Sequence, residues 1–286
     1  MIMANIKIIT DAGADLTKLQ QEEFDIDVLP LRIYADGKEY LAGVDTFSDD
    51  FYALLKTLND FPKTSQPTTA EIYDMFKKYT DKNIPVLMIT LSSKASGLNN
   101  NANLAKNMIL EEKSDAVIKI IDSERFSFTY GLAVIEAAKM AAAGSTMEEI
   151  INKCTELMES FTAYFIPSTL EYLEKGGRIN KASLVFGNML DIVPVLSLVD
   201  GMVSAVGKVR GRKKIAKKIF DYAISHHPET KGDIFYIPNG NLDTEANEIK
   251  TLIKEKFPQS DIIEYKVGPI IAAHIGPVCG IYIKNS

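Results

Sequence analysis

The side chains best suited to chemistry lie in two short hydroxyl-rich segments. The first, Leu91–Gly97, carries Ser92, Ser93 and Ser96 between a buried apolar run and a helical pattern. The first backbone N–H groups of a helix have no partner within the helix, and the helix dipole favours an anion there. Ser96 and Gly97 are therefore candidate ligands for a carboxylate or a phosphate. Simple helix capping by Ser96 is the competing interpretation.

The second hydroxyl-rich segment is Thr64-Ser65-Gln66-Pro67, which precedes a capped helix. Turn and cap chemistry alone accounts for residues of these types. Two such segments in one chain nevertheless favour an oxyanion site. Its candidate residues are Thr64, Ser65, Ser96 and Gly97.

His274 lies in an apolar stretch between Gly268-Pro269 and Gly276-Pro277. The two Gly-Pro pairs predict a shaped loop, where polar residues more often serve a ligand. A buried histidine with ordinary hydrogen bonds is the alternative. As no acidic or cysteine pattern accompanies it, we interpret His274 as a donor to an anion rather than a metal ligand.

Two arginines are candidates for contact with a partner. Arg178 follows Gly176-Gly177, which suit a left-handed helix end and place Arg178 to project freely. Arg210 belongs to a basic run between Lys208 and Lys218. Such a run is usually a solvated surface, and in an acidic protein it also suits an acidic or phosphorylated partner.

Strands and helices that alternate along the first half must position these groups. The predicted strands are Ile6–Thr10, Val28–Tyr34, Lys38–Leu41 with a turn at Asp36-Gly37, Val86–Leu91 and Ala116–Ile121. Helices are predicted from Ser48, over Thr68–Tyr79, after Gly97, and over 127–143 and 146–160, with capping boxes at Thr68/Glu71 and Ser145/Glu148. Phe61–Pro67 is predicted to be irregular.

This alternation predicts a mostly parallel sheet covered on both faces. Asp11, Ser92-Ser93 and Asp122-Ser123 come just after predicted strands. Ligands bind at the carboxyl ends of the strands in such sheets, although loops also begin with polar residues for no functional reason.

The second half predicts another α/β arrangement. Its strands are Ala163–Ile166, Val193–Val199, Met202–Lys208, Ile234–Ile237, Ile262–Val267 and Gly280–Ile283. A short helix is predicted with a capping box at Ser168/Glu171. Longer helices are predicted over Asn180–Met189, Gly211–Ser225 and Asp243–Lys256. We therefore expect an α/β fold with two α/β domains, residues 1–163 and 164–286, and a ligand site in the cleft between them.

Composition excludes several classes of function. The net charge of −6 disfavours nucleic acid as the main partner, and two cysteines with three histidines are too few for common zinc sites. The N-terminus has no signal-peptide pattern, and glycines and prolines interrupt the longest uncharged stretch, Val267–Ile283. We expect a cytoplasmic protein without membrane insertion, metal or cofactor.

Five motifs in order resemble the DegV family of bacterial fatty-acid-binding proteins, over essentially the whole chain. They are Thr64-Ser65-Gln66-Pro67, Ser92-Ser93 with Ser96-Gly97, Asp122-Ser123, Gly176-Gly177-Arg178-Ile179, and Gly268-Pro269 through His274 to Gly276-Pro277.

The resemblance implies a non-enzymatic carrier with a long-chain fatty acid buried between two α/β domains. Members of the family present the carboxylate to a separate ATP-dependent fatty acid kinase subunit, which forms acyl phosphate for phospholipid synthesis. By matching motifs, Thr64, Ser96 and His274 are similar to the residues that hold the carboxylate. Arg178 and Arg210 match arginines implicated in the encounter with the kinase.

The chain departs from the usual family residues at four positions. Leu98-Asn99 stand where Thr-Tyr is usual, Val278 where glycine is usual, and Val193 where lysine is common. The first change alters the wall of the head-group site.

Two other functions remain open at this point. A stand-alone acyl hydrolase or transferase would use Ser96 and His274 as a nucleophile and base, without an evident acidic partner. A nucleic-acid regulator would rest on the basic run alone.

Overall fold

The computed structural model describes residues 6–180 and 192–285. The chain divides into two compact units. The first unit contains Met1–Phe47 and Lys63–Met158, and the second contains Ser48–Pro62 and Glu159–Ser286. The predicted domains, 1–163 and 164–286, are contiguous and place Ser48–Pro62 in the first domain, whereas the contacts group this segment with the second unit. The division into domains stays a prediction.

The strands and helices of the described residues follow one another along the whole chain. The strands are β1 (Lys7–Asp11), β2 (Asp27–Leu29), β3 (Leu31–Ala35), β4 (Lys38–Ala42), β5 (Lys63–Ser65), β6 (Val86–Thr90), β7 (Ile118–Asp122), β8 (Phe161–Pro167), β9 (Ile192–Val199), β10 (Met202–Arg210), β11 (Ile234–Gly240), β12 (Asp261–Lys266) and β13 (Val278–Lys284). The helices are α1 (Lys18–Glu23), α2 (Ser48–Leu55), α3 (Thr69–Thr80), α4 (Leu98–Glu112), α5 (Phe128–Ala142), α6 (Met147–Glu159), α7 (Glu171–Gly176), α8 (Ile215–His226), α9 (Asp243–Lys256) and α10 (Pro269–Ile275).

The first unit is built on a four-stranded parallel sheet in the order β2-β1-β6-β7. Every residue of β1 and β6 is buried. Because successive side chains of a strand point to opposite faces, both faces of these strands are covered. Helices α3, α4 and α5 pack against the sheet. This confirms the predicted α/β class and its parallel sheet.

A second, antiparallel sheet of the first unit has the order β4-β3-β5. Asp36 and Gly37 both have positive φ, which suits the predicted hairpin turn between β3 and β4. The predicted strand Val28–Tyr34 is instead two strands in different sheets, separated by Pro30, which has no N–H for a ladder. The prediction of irregular structure for Phe61–Pro67 was wrong at Lys63–Ser65, which form β5.

The predicted helix caps differ in how well they match the structure. Thr68 and Glu71 form the predicted capping box of α3. The box of α6 is Thr146 with Glu149, not Ser145 with Glu148, because the Ser-Thr-x-Glu-Glu pattern fits both registers.

The predicted Ser168/Glu171 cap of α7 is also wrong. The N–H of Glu171 is bonded to Thr169 Oγ1 at 3.3 Å instead. The N-cap residue of α7 is Leu170, whose side chain makes no capping hydrogen bond.

The second unit contains a six-stranded sheet in the order β10-β9-β8-β13-β11-β12. Among its described strands, β11 and β12 pair in parallel and the other neighbours pair antiparallel. Helices α8 and α9 pack on this sheet over a core that includes Val195, Ile219, Phe235, Ile249 and Ile281. The predicted hairpin at Asp200-Gly201 joins β9 to β10. The predicted helix Asn180–Met189 lies outside the described residues.

The segment that carries His274 is a helix rather than the predicted loop between two strands. Pro269 occupies the first turn of α10, where its missing N–H and fixed φ are tolerated, and Gly276 ends the helix with φ of 68°. The flanking Gly-Pro pairs are thus helix boundaries. Helix α10 packs against α7 and α2, which all belong to the second unit.

Across residues 6–180 and 192–285, no helix combines the length and the apolar character needed to cross a bilayer.

Candidate functional site

The polar residues predicted at the carboxyl ends of the parallel strands do lie there, and Asp11 is an internal anchor. Its fully buried carboxylate accepts hydrogen bonds from the N–H of Gly13 (2.9 Å), the N–H of Leu91 (2.9 Å) and the hydroxyl of Tyr130 (2.8 Å). Burial raises the pKa of Asp11 to about 6 despite these bonds. Asp11 thereby ties β1 to the end of β6 and to α5.

The neighbouring loop residues are used by their own turns. Asp122 Oδ1 accepts from the N–H of Ser93 at 3.0 Å and from the N–H of Glu124 at 3.1 Å. Ser92 Oγ accepts from the N–H of Lys94 at 3.2 Å. For Ser92, Ser93 and Asp122, turn chemistry accounts for the polar atoms named here.

Ser96 has a different environment, because it joins the two hydroxyl-rich segments. Its Oγ donates to Gln66 Oε1 at 3.2 Å and accepts from the N–H of Leu98 at 3.2 Å. Asn101 Nδ2 donates to the carbonyl of Pro67 at 3.0 Å. The structure therefore brings Thr64–Pro67 and Ser92–Gly97 together; we call these two segments the hydroxyl loops.

Gly97 allows the close approach of the hydroxyl loops. A Cβ at position 97 would lie 2.6 Å from Gln66 Nε2 and 3.0 Å from Gln66 Oε1, which is closer than packed atoms tolerate. The contact with Gln66, rather than the φ of −76°, therefore favours glycine here, because a side chain at position 97 would make the Gln66 carboxamide shift. Sequence reasoning missed Gln66, since a glutamine in a turn carries no signal of a partner thirty positions away.

Thr64 and Ser65 are held by strand register. They lie on β5, an outer strand of the small sheet, opposite Ile33 and Arg32 respectively. The guanidinium of Arg32 is paired with Glu71, the carboxylate of the α3 capping box. The backbone on both sides of Gln66 is consequently fixed, by β5 before it and by the start of α3 after it.

The four residues that depart from the family pattern are each buried or hydrogen-bonded in the structure. Leu98 is fully buried, and Asn99 Nδ2 donates to Thr90 Oγ1 at the end of β6 (3.0 Å). In the second unit, Val193 and Val278 are buried on β9 and β13.

His274 belongs to the second unit, where it lies against the end of α7. A Cβ at Gly176 would be 2.7 Å from His274 Nδ1, so the absence of a side chain at 176 makes room for the imidazole. Burial, and then the nearby charge of Arg178, lower the pKa of His274 to about 4. The imidazole is therefore neutral at pH 7, with one ring nitrogen protonated.

Arg178 does not project freely as the two preceding glycines predict. Gly177 is the left-handed end of α7, with φ of 67°, and Arg178 Nη1 folds back to donate to the carbonyl of Gly176 at 2.7 Å. The half-buried Arg178 charge thus remains beside His274.

Arg210 is the last residue of β10 and is exposed. Several cations of its basic run are engaged locally. Lys217 pairs with Asp221 at 2.7 Å, Lys218 Nζ donates to the carbonyl of Gly211 at 3.0 Å, and Arg212 donates to Pro167. These contacts match the solvated-surface interpretation of the run.

Aromatic side chains that the sequence analysis did not single out surround the α2, α7 and α10 helices. The rings of Phe61 and Tyr172 meet edge to face with centroids 4.8 Å apart, and the ammonium of Lys175 lies 4.1 Å from the Phe61 centroid. Tyr172 also fills the space beside Gly276, where a Cβ would lie 2.5 Å from its ring.

The described residues also bear on two other kinds of chemistry, metal binding and nucleophilic attack by Ser96. They contain no group of three or more His, Cys, Asp or Glu side chains arranged to hold a metal ion. The Ser96 hydroxyl donates its hydrogen bond to an amide oxygen, which is not a base. All three histidines of the chain belong to the second unit. In the described part of the first unit, neither Gln66 Oε1 nor the N–H of Leu98, the groups bonded to Ser96 Oγ, is a base that activates it as a nucleophile.

Fold and motifs define a mixed α/β protein with a parallel sheet in one unit and a largely antiparallel one in the other. The family model described as "Uncharacterised protein, DegV family" matches residues 5–285. A DegV domain-containing protein of Clostridium acetobutylicum is 33% identical over 98% of both chains. The chain belongs to the DegV family.

Solved structures similar to this chain include two that are described as binding fatty acids. A fat acid (stearic acid)-binding protein of Eubacterium ventriosum has a TM-score of 0.86 at 29% identity, with 98% of each chain covered. DegV of Bacillus subtilis, a fatty acid binding protein, has a TM-score of 0.83 at 26% identity, with 99% of this chain and 100% of the other covered.

Proposed function

We propose that this chain binds a long-chain fatty acid and presents its carboxylate to a separate ATP-dependent fatty acid kinase subunit, which forms acyl phosphate for phospholipid synthesis. The observation that carries the first part is the similarity, over almost the whole chain, to solved proteins that bind fatty acids. The protein itself makes no bond in this proposal and works in the cytoplasm, where ATP is available.

Thr64, Ser65, Ser96, Gly97 and His274 are the proposed carboxylate ligands. A buried carboxylate without partners is strongly disfavoured, so its oxygens need donors. Ser96 has a hydroxyl proton and lies at the start of α4, where the helix dipole favours an anion. His274 is a neutral imidazole and contributes one N–H without adding charge.

The acyl chain supplies most of the proposed affinity. Each buried methylene is worth about 0.8 kcal/mol, so roughly fifteen methylenes yield on the order of 12 kcal/mol before the costs of association. The donors named above then determine which end of the lipid is held and which group is recognised.

Lipid extraction tests the binding proposal. Purified protein should release a fatty acid into an organic extract, identified by mass spectrometry, and delipidated protein should take up a supplied fatty acid. Protein that is empty after purification and stays empty when offered fatty acids contradicts the proposal.

The kinase part is tested with His274→Ala. Its loss should weaken the hold on the carboxylate and reduce ATP-dependent acyl phosphate formation by an added fatty acid kinase subunit. His226→Ala, which changes an exposed histidine on α8, is the matched control. Unchanged phosphorylation in His274→Ala would refute its role. Arg178→Ala and Arg210→Ala should lower the rate at low kinase concentration if they serve the encounter.

A further inference from the structure

Gln66 controls the only proton that Ser96 can donate. The Ser96 hydroxyl gives this proton to Gln66 Oε1, and its oxygen accepts the N–H of Leu98. A serine hydroxyl has one proton and two lone pairs. In this arrangement Ser96 therefore offers a carboxylate no donor, although the proposed function requires one.

Binding of a carboxylate forces a change at Gln66. If the Ser96 proton turns to the carboxylate, Gln66 Oε1 loses its donor and faces the lone pairs of Ser96 Oγ. A glutamine can remove this conflict. Its planar carboxamide carries an accepting oxygen and a donating NH₂ group of nearly the same size, so either can face Ser96. Rotation about the terminal torsion, which has broad minima, exchanges them.

We infer that Gln66 is a specificity-determining residue of the proposed fatty-acid site, an inference that rests on the proposed function. Its carboxamide turns when a carboxylate binds, so that Nε2 donates to Ser96 Oγ and the Ser96 hydroxyl donates to the carboxylate. This chain of two hydrogen bonds, from Gln66 to Ser96 and from Ser96 to the ligand, selects a head group that only accepts hydrogen bonds. A head group that donates, such as an alcohol, is served by the orientation seen here.

The surroundings of Gln66 confine the response to its side chain. The preceding Ser65 is held in the β3–β5 ladder beside Arg32, and the following helix begins with the Thr68/Glu71 box, to which Arg32 is paired. The space beside the carboxamide is kept by Gly97, where a Cβ would touch both Nε2 and Oε1. A fixed backbone and an open side thus allow the amide to turn without a loop movement.

The test compares two lipids of equal length, palmitic acid and 1-hexadecanol, on delipidated full-length protein. The wild type should prefer the acid at pH 8. Gln66→Glu keeps the shape but offers only acceptors and a negative charge, so it should lower the affinity for the acid by on the order of tenfold or more. Its affinity for the alcohol should stay within about threefold, since hydrogen bonds to neutral groups are weaker.

Lowering the pH provides a second readout that a merely structural role would not produce. Protonation of the carboxyl introduced by Gln66→Glu restores a donor, so acid binding relative to the wild type at the same pH should recover. Asn101→Asp is the matched control, since it adds the same charge on α4, at the bond from Asn101 to the carbonyl of Pro67 in the hydroxyl loop Thr64–Pro67. It should leave the ratio of acid to alcohol affinity near that of the wild type.

Gly97→Ala addresses the same contact without changing Gln66. The added methyl group occupies the space of the carboxamide and should lower the acid preference in the same direction, with the fold checked by thermal melting. Equal loss of acid and alcohol binding in Gln66→Glu, or an unchanged ratio, overturns the inference while the proposed function stands. A wild type that binds neither lipid overturns both.

Discussion

The hydroxyl loops of the first unit and the α7–α10 region of the second unit are built on opposite principles. In the hydroxyl loops, polar atoms are bonded to one another and to backbone groups, as Ser96 is to Gln66 and Leu98. Around His274, the structure depends on missing side chains: Gly176 makes room for the imidazole and Gly276 for Tyr172. The first region should therefore respond to the loss of a partner, and the second to added volume or charge.

Asp11→Ala should have the largest effect on stability, because it breaks the polar network beneath the hydroxyl loops. It leaves the N–H groups of Gly13 and Leu91 and the hydroxyl of Tyr130 without their acceptor. At about 1–3 kcal/mol for each buried unsatisfied group, we expect a loss of at least about 3 kcal/mol in the free energy of unfolding. Chemical denaturation measures it, with the exposed Asp115→Ala as the control. A loss comparable to that of the control would show that the network is not structural.

The pH dependence of stability should separate the two regions by sign. His274 has a pKa of about 4 in the folded protein and an ordinary value of 6.5, so the unfolded chain binds a proton first as the pH falls. Stability contributed by neutral His274 is present above pH 6.5 and is lost progressively down to pH 4, by about 3 kcal/mol at most. Denaturation of wild type and His274→Phe across this range measures it, because the difference between their unfolding free energies should decrease as the pH falls from 6.5 to 4.

Asp11 should act in the opposite direction. Its pKa of about 6 lies above the ordinary 3.8, so the folded state binds the proton first, and stability rises as the pH falls from 6 to 4. Asp11→Asn should remove this rise. For each variant, the unfolding free energy of the wild type minus that of the variant is plotted against pH. Slopes of the same sign for His274→Phe and Asp11→Asn would contradict the opposite roles of the two residues.

Two adjacent glycines sharpen the comparison at a smaller scale. Gly176→Ala places a methyl group against His274 Nδ1, whereas Gly177→Ala meets no atom within 4 Å but must adopt φ of +67°. We expect each to cost about 1–2 kcal/mol, the first by crowding and the second by backbone strain. Only Gly176→Ala should weaken fatty acid binding, measured by displacement of a fluorescent fatty acid. Equal weakening in both would mean that position 176 has no special relation to His274.

The smallest expected effects are those of the capping boxes. Thr68→Ala and Thr146→Ala each remove a box with the same geometry, at about 1 kcal/mol of unfolding free energy. Thr68 begins the helix that follows Gln66-Pro67, while Thr146 begins α6. Thermal melting should therefore show similar losses, and titration with fatty acid should show weaker binding only for Thr68→Ala.

Local patterns in the sequence predicted much of the fold. The box at Thr68/Glu71, the turns at Asp36-Gly37 and Asp200-Gly201 and the helix Asp243–Lys256 are confirmed. Each depends on residues within a few positions of one another, so the sequence contains the whole signal.

The features that could not be predicted depend on distant contacts or on competing registers. Helix α10 has seven residues, which is too short for a periodic pattern, and its Gly-Pro boundaries are equally typical of loops. The α6 cap had two equivalent registers in the sequence, Ser145/Glu148 and Thr146/Glu149, and the folded helix uses the later one. For the site, residue types predicted the hydroxyl loops, but the contact of Gln66 with Ser96 exists only after folding.

The passage of Ser48–Pro62 into the second unit has a consequence for biosynthesis. Helix α2 leaves the ribosome long before α10, against which it packs, because α2 ends at Leu55 and α10 begins only at Pro269. An eight-residue helix with Phe51, Tyr52 and Leu55 on its apolar side is not stable alone in water. Until α10 has been translated, this helix lacks that packing partner for its apolar residues. A truncated product that ends near residue 163 therefore retains an uncovered segment, which makes it a natural target for chaperones and proteases.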